Sequence, residues 1–184
     1  KYSTHANVFA NRITWDFLNT YYVQIYKEQA KLYGVEREMA PYIEAHKVLE
    51  EPKSDAFFSL GDLWPNSIMF DVDSRIIWCI DWEMARFETR HRDIEQLFTN
   101  LWVMKQDAVF YDAQLCERLM RRLQREFFGA DDADWRLHCN GETMTEFILM
   151  AAALLAEPHI KRRDSQLLLT AIREVEMLRS NLSV

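Results

Sequence analysis

The sequence predicts an α+β fold dominated by helix, with a small β section near the middle of the chain. Apolar residues recur at helical spacing before residue 50 and after residue 90. Short apolar runs of strand length occur only within residues 56–82. The chain has 184 residues, of which 49% are hydrophobic and 28% charged, so it can form one domain with a sizeable core. Helices, strands and then helices again is an element order typical of the α+β class.

Two helices are predicted before the β section. The first covers residues 6–33, because its large apolar residues recur at near-helical spacing, and Gly34 ends it. The second covers residues 35–51, and Pro41 either interrupts it or begins it.

The β section is predicted to contain a short strand and a hairpin. The runs "AFFSL", "SIMFDV" and "RIIWCIDW" have strand length, and Asp73-Ser74 between the last two is typical of a hairpin turn. The hairpin is therefore expected at about residues 68–81. Since "RIIWCI" is almost continuously apolar, it predicts a buried strand, with Cys79 as a small core residue.

Four helical segments follow, at residues 92–105, 112–129, 142–157 and 165–182. Apolar residues at helical spacing predict each of them. The third, "ETMTEFILMAAALLAE", is apolar almost all round and is therefore expected to be buried. The second carries the basic run "RLMRRLQR", which is either a solvated helix face or a surface for a partner.

Composition and charge exclude several classes of function. A net charge of -7 argues against non-specific nucleic-acid binding. Apolar stretches stay shorter than the ~18 residues of a membrane span, and the N-terminus does not resemble a signal peptide. The three cysteines are widely spaced and odd in number, so we expect reduced thiols and a cytoplasmic location. Because the chain begins with Lys rather than Met, we expect a fragment or a processed product.

The first candidate site residue is Asp62, in "FFSLGDLWPNSIMF". It follows an apolar run and Gly61, which permits an unusual backbone angle or a close approach at the turn. A carboxylate on such a loop can accept a proton from a hydroxyl nucleophile. The alternative is that Asp62 caps a turn.

The second candidate is Asp81, at the end of the apolar run in "RIIWCIDWE". A buried carboxylate needs a partner, and a divalent cation is one of the few adequate ones. Asp81 and Glu83 can both reach an oxygen-liking metal such as Mg²⁺. The alternative is a salt bridge from Asp81 to Arg86 or Arg90. Because a hairpin brings its two outer ends together, Asp62 and Asp81 are expected on one side, the layout of a kinase-type phosphoryl-transfer site.

The motif "LGDLWPNS", followed by "IDWE", resembles the motifs of the aminoglycoside phosphotransferase and choline kinase-like superfamily. The resemblance covers residues 57–100 and implies a protein-kinase-like C-terminal lobe. It implies that Asp62 is the catalytic aspartate and that Asp81 binds metal and, through it, ATP. "HRDIEQL" resembles a later family segment, which makes Asp93 a structural anchor of the site.

The chain departs from the family pattern at two positions of this motif. Leu60 stands where the family usually has His, and Ser67 stands where it usually has an Asn metal ligand. Methylthioribose kinases are similar here, with Ser at that place and an Asp-x-Glu metal motif. The resemblance therefore implies Ser67 as a cofactor-binding residue and Asp81, Ser67 and Glu83 as the Mg²⁺ ligands.

The resemblance also sets an expectation about domains. Residues 1–184 correspond to a single C-terminal lobe, and residues 1–56 contain no Gly-rich loop typical of an ATP-clamping β lobe. We therefore expect an ATP-dependent phosphotransferase acting on the hydroxyl of a small molecule, inactive as the isolated chain. It would need an N-terminal lobe or a second chain. The alternative is a non-catalytic kinase-like binding or scaffold domain, which the departures and the missing lobe favour.

Overall fold

The structure, a computed structural model, is mainly helical with a small β section, in agreement with the predicted class. It describes residues 15–46, 57–61, 63–82, 85–88, 92–107, 111–129, 134–138, 141–154 and 165–182. The helices are α1 (Trp15–Tyr33), α2 (Glu36–Ala45), α3 (Arg92–Gln106), α4 (Ala113–Phe128), α5 (Trp135–His138), α6 (Gly141–Leu154) and α7 (Ser165–Leu182). The strands are β1 (Phe57–Ser59), β2 (Ile68–Asp71), β3 (Ile76–Cys79) and β4 (Arg86–Glu88).

The chain divides into two compact units. The strand unit consists of Lys1–Thr20 and Val48–Leu97, and the helical unit consists of Tyr21–Lys47 and Phe98–Val184. The predicted first helix is present as α1, and the part of that prediction over residues 6–14 lies outside the described residues. α2 continues through Pro41.

The core of the helical unit is built around α6. Its sequence is apolar on nearly every face, which favours burial on all sides. α2 and α7 both pack against it. Phe147, Ile148, Leu149 and Ala151 are fully buried, which confirms the burial predicted for this segment.

A polar cluster is enclosed beside that core. Arg136 on α5 has a buried side chain that donates from Nη2 to Asp134 Oδ2 (2.6 Å) and from Nη1 to Glu174 Oε2 (3.0 Å). Its guanidinium carbon lies 4.6 Å from the centroid of the Phe147 ring. Trp102 Nε1 donates to the same Glu174 oxygen (3.1 Å). Two carboxylates and an aromatic face thus compensate the charge of one buried arginine.

The strand unit contains two antiparallel strand pairs, and the two strands of one pair lie between those of the other in the sequence. β2 pairs with β3, with Ile68 opposite Cys79, and β1 pairs with β4, with Ser59 opposite Arg86. The predicted hairpin is present. Its turn is held by Asp71, whose carboxylate accepts hydrogen bonds from the Asp73 amide (3.0 Å) and the Ser74 hydroxyl (2.5 Å).

The prediction that the third apolar run forms a buried strand is wrong. Every residue of β2 and β3 is exposed, including Phe70 (58%), Ile77 (64%) and Trp78 (56%). Cys79 is exposed too, so it is not a core residue. A continuous apolar run indicates that a strand can be covered on both faces. It does not say which part of a protein covers it.

Candidate active site

Two loops connect the outer strand pair to the inner hairpin. The first covers residues 60–67, between β1 and β2, and the second covers residues 80–85, between β3 and β4. Since β1 pairs with β4 and β2 with β3, both loops begin and end at the same two strand pairs. The topology therefore sets the loops side by side.

The first loop begins at a turn held by a single carboxylate. Asp93, in the first turn of α3, accepts a hydrogen bond from Ser59 Oγ (2.6 Å) and one from the Leu60 amide (3.0 Å). The Gly61 amide donates both to Asp93 (3.2 Å) and to Ser59 Oγ (2.9 Å). Asp93 thus anchors the turn at residues 59–61, which directly precedes Asp62 in the sequence.

Gly61 adopts an unusual backbone angle, which is one of the two roles expected of a glycine at this position. Its φ is 72°, in the left-handed region, and the residue is buried. A side chain is strained at this φ, so glycine fits the turn. The conformation directs both Leu60 and Gly61 amides toward one carboxylate, a small nest of donors fixed by α3.

The second loop contains a strained residue, Asp81. Its φ is 66°, which is uncommon for any residue other than glycine, although Asp tolerates it better than most. Trp82, the next residue, donates from Nε1 to the Cys79 carbonyl (2.6 Å), and its ring stacks on Phe58 of β1 at 5.7 Å. These contacts fix Trp82, the residue that follows Asp81. Strain of this kind is concentrated at functional sites.

The two loops are joined by a backbone hydrogen bond. The Ile80 amide donates to the Ser67 carbonyl (2.9 Å), so Ser67 lies opposite the residue that precedes Asp81. Ser67 is buried at 4% exposure, whereas Asp81 is exposed. Two of the predicted site residues, Ser67 and Asp81, are thus at the same end of the hairpin.

The other two predicted site residues, Asp62 and Glu83, lie outside the described residues. Of the alternatives for Asp81, the salt bridge depends on the Arg86 side chain and on Arg90, which also lie outside them. Among the side chains that the structure does describe, Asp81 forms no ion pair.

Sequence reasoning missed the role of Ser59. Its hydroxyl bridges Asp93 and the Gly61 amide, and the residue is buried at 4% exposure. The sequence signal that could have indicated this role is the position of the serine, two residues before Gly61. The partner is 34 residues away, so the spacing within the motif does not reveal it.

Three helical carboxylates outside the two loops have varied surroundings. Glu146 is engaged with His46, whose Nδ1 lies 2.5 Å from Glu146 Oε1, and the His46 side chain is almost fully buried. Glu95 is buried in the strand unit, and the Glu142 side chain lies outside the described residues.

Across the described part of the chain, no helix is both long and apolar enough to cross a membrane.

Comparison with known proteins bears on what this arrangement does. The model of the phosphotransferase enzyme family matches residues 3–157, most of the chain. Comparisons with curated proteins and with solved structures gave no significant match. The resemblance drawn from the motifs to aminoglycoside phosphotransferases and choline kinase-like proteins is confirmed, and the family has a kinase-like fold. The chain belongs to the phosphotransferase enzyme family.

Proposed function

We propose that this protein transfers a phosphoryl group from ATP to the hydroxyl of a small molecule, and that residues 1–184 form its C-terminal catalytic lobe. Enzymes of the family generally use ATP and Mg²⁺. The observation that carries the proposal is the hydrogen bond from the Ile80 amide to the Ser67 carbonyl (2.9 Å). It joins the two loops on which all the candidate site residues lie.

On this proposal Asp62 orients the acceptor hydroxyl and accepts its proton. Phosphoryl transfer depends on positioning, so the base must be held in a fixed loop. The anchoring of Leu60 and Gly61 by Asp93 supports this, because it fixes the backbone immediately before Asp62. A general base of this kind contributes about 10²- to 10⁴-fold in rate.

Asp81, Ser67 and Glu83 would hold Mg²⁺. All three offer oxygen donors, which Mg²⁺ prefers, and the exposed carboxylate of Asp81 leaves room for a phosphate ligand on the same ion. When bound, Mg²⁺ neutralises charge on the phosphates. The left-handed backbone of Asp81 and the contacts of Trp82 support a carboxylate held in a preset position.

The exposed hairpin supports the assignment as one lobe of a larger enzyme. Its apolar residues Phe70, Ile77 and Trp78 are each more than half exposed, and an isolated two-stranded hairpin is marginal in water. We propose that an ATP-clamping β lobe covers it, from the same polypeptide or from a second chain. A kinase-type site needs such a lobe to cover the phosphates.

A second candidate function is a non-catalytic kinase-like binding or scaffold domain. The observation that favours it is the motif itself, which has Leu60 and Ser67 where the family usually has His and Asn. A serine hydroxyl is a weaker metal ligand than an amide oxygen. In this case the loops would keep their geometry without turnover.

The test compares Asp62→Asn with Asp81→Asn in the protein that includes the ATP-clamping lobe. Turnover with a panel of small alcohols and Mg²⁺–nucleotide affinity are measured for each variant, with Asp73→Asn as an exposed-carboxylate control. We expect Asp62→Asn to reduce turnover at least about 100-fold with affinity nearly unchanged. Asp81→Asn should reduce both, because it removes a metal ligand.

Two outcomes would overturn the proposal. If folded Asp81→Asn keeps both affinity and turnover, the metal assignment is wrong. If the unaltered protein binds Mg²⁺–nucleotide but transfers no phosphoryl group to any acceptor or to water, the scaffold function is favoured. Residues 1–184 alone serve as the comparison without the β lobe, and we expect no turnover from them.

A further inference from the structure

The exposed side of α4 combines leucines with arginines. One stripe of the helix is buried, at Cys116 and Met120. Elsewhere on its surface, Leu115 and Leu119 remain 45% and 41% exposed. Arg118 and Arg122 are exposed too and lie three residues after each leucine. Since residues three and four apart are neighbours on a helix, these four side chains form one continuous surface, here called the Leu–Arg surface.

The charge of the Leu–Arg surface is opposite to that of the chain. The protein carries a net charge of -7, yet Arg118 and Arg122 form no ion pair within the described part of the chain. Both cations lie beside exposed leucines, and neither has an ion pair among the described residues that would hold it to the fold. They give the surface an attraction for carboxylates.

A groove borders this surface. It has a volume of about 620 Å³ and lies between the end of α3 and the first turns of α4, with Lys105, Gln114, Glu117, Arg118 and Arg121 in its lining. Glu117 pairs with Lys105 (2.5 Å) and with Arg121 (3.0 Å). Those two cations therefore share one carboxylate, and Arg118 is the lining cation left without an ion pair among the described residues.

This distribution favours a peptide over a small polyanion. A compact phosphate ligand needs several convergent donors that are free to turn toward it, and two of the three lining cations already donate to Glu117. The Leu–Arg surface instead extends over two helical turns, about 10 Å, with apolar and cationic side chains alternating along it. An amphipathic partner helix is recognised by anchors with that same spacing.

We propose that the Leu–Arg surface docks an acidic amphipathic helix of a partner protein. Apolar side chains of the partner would contact Leu115 and Leu119, and its carboxylates would pair with Arg118 and Arg122. The binding strength would fall with added salt, because these pairs are at the surface. The surface belongs to the helical unit and does not depend on the phosphoryl-transfer proposal.

The probe is a fluorescein-labelled helical peptide of about 20 residues, with leucines at positions i and i+4 and glutamates at i+3 and i+7. Fluorescence anisotropy is measured against the full chain. The comparison peptide has lysine in place of each glutamate. We expect the acidic peptide to bind at least tenfold more tightly than the lysine peptide. Arg118→Glu/Arg122→Glu should weaken its binding at least tenfold.

A matched control keeps the change in charge and moves its position. Arg37 on α2 and Arg173 on α7 are also exposed helical arginines, so Arg37→Glu/Arg173→Glu should change the affinity less than twofold. Leu115→Gln/Leu119→Gln keeps the charge and tests the apolar contacts, with an expected loss of about fivefold or more. Circular dichroism verifies the folding of each variant.

Equal binding of the acidic and lysine peptides, or equal loss in the α4 and control double variants, would overturn the proposal. Cosedimentation with phosphatidylserine vesicles examines a membrane as the alternative. If the chain binds the vesicles, loses this with Arg118→Glu/Arg122→Glu and ignores the acidic peptide, the surface is for a membrane and the proposal is wrong.

Discussion

Replacing Asp93 with alanine should release the turn that leads into the first site loop. The carboxylate accepts hydrogen bonds from Ser59 Oγ (2.6 Å), the Leu60 amide (3.0 Å) and the Gly61 amide (3.2 Å). Asp93→Ala removes all three acceptor contacts. Gly61 keeps its bond to Ser59 Oγ (2.9 Å), but that hydroxyl loses its own acceptor.

The magnitude follows from the number of bonds and their burial. A hydrogen bond contributes about 1 kcal/mol net, and somewhat more when one partner is charged. Ser59 and Gly61 are buried, whereas Leu60 and Asp93 are half-buried, so water can replace part of the loss. Three bonds then give about 2 to 3 kcal/mol for local opening of the turn. Because 1.4 kcal/mol is a factor of ten, the opening equilibrium should rise roughly 30- to 100-fold.

Amide hydrogen exchange measures this opening directly, at Leu60 and Gly61. Asp93→Asn should have a smaller effect than Asp93→Ala, because the amide keeps one acceptor oxygen. Asp73→Ala is the control: its carboxylate is exposed in the same unit and has no hydrogen-bond partner in the described part of the chain. If Asp93→Ala and Asp73→Ala leave the exchange of Leu60 and Gly61 equally slow, the anchoring argument is wrong.

Two further predictions concern charged contacts in the helical unit. A hydrogen bond from Lys105 lowers the pKa of Glu117 below its usual 4.5. The ionised pair therefore stabilises the fold at neutral pH, and this stabilisation is lost as the pH falls through the lowered pKa. Glu117→Gln should cost under about 1 kcal/mol in chemical unfolding near pH 7, and the cost should shrink as the pH falls below 4.5 and through the lowered pKa; a cost that does not change with pH would contradict this. Arg136→Met should cost about 3 kcal/mol in thermal unfolding, because Asp134 and Glu174 lose their shared buried partner; an unchanged midpoint would refute that.

Much of the fold and part of the candidate site could be predicted from local sequence signals. Periodicity predicts the longer helices but not the short α5, and an all-apolar helix predicts its own burial, as in α6. The turn residues between β2 and β3 predict the hairpin. Gly61 was expected to permit an unusual backbone angle or a close approach, and its φ of 72° shows the unusual angle. These features depend on residues close together in the chain, where spacing determines geometry.

Other features depended on residues far apart in the chain. The Asp93 anchor was expected from a motif, but its bridge through Ser59 across 34 residues was not, and the pairing of His46 with Glu146 spans 100. β3 is exposed although its sequence is apolar. Hydrophobicity favours the burial of a strand, but burial also requires a neighbouring element that covers the strand. Which side chains meet, and which apolar face stays uncovered, follows from how elements pack, and a linear pattern of residue types does not contain that packing.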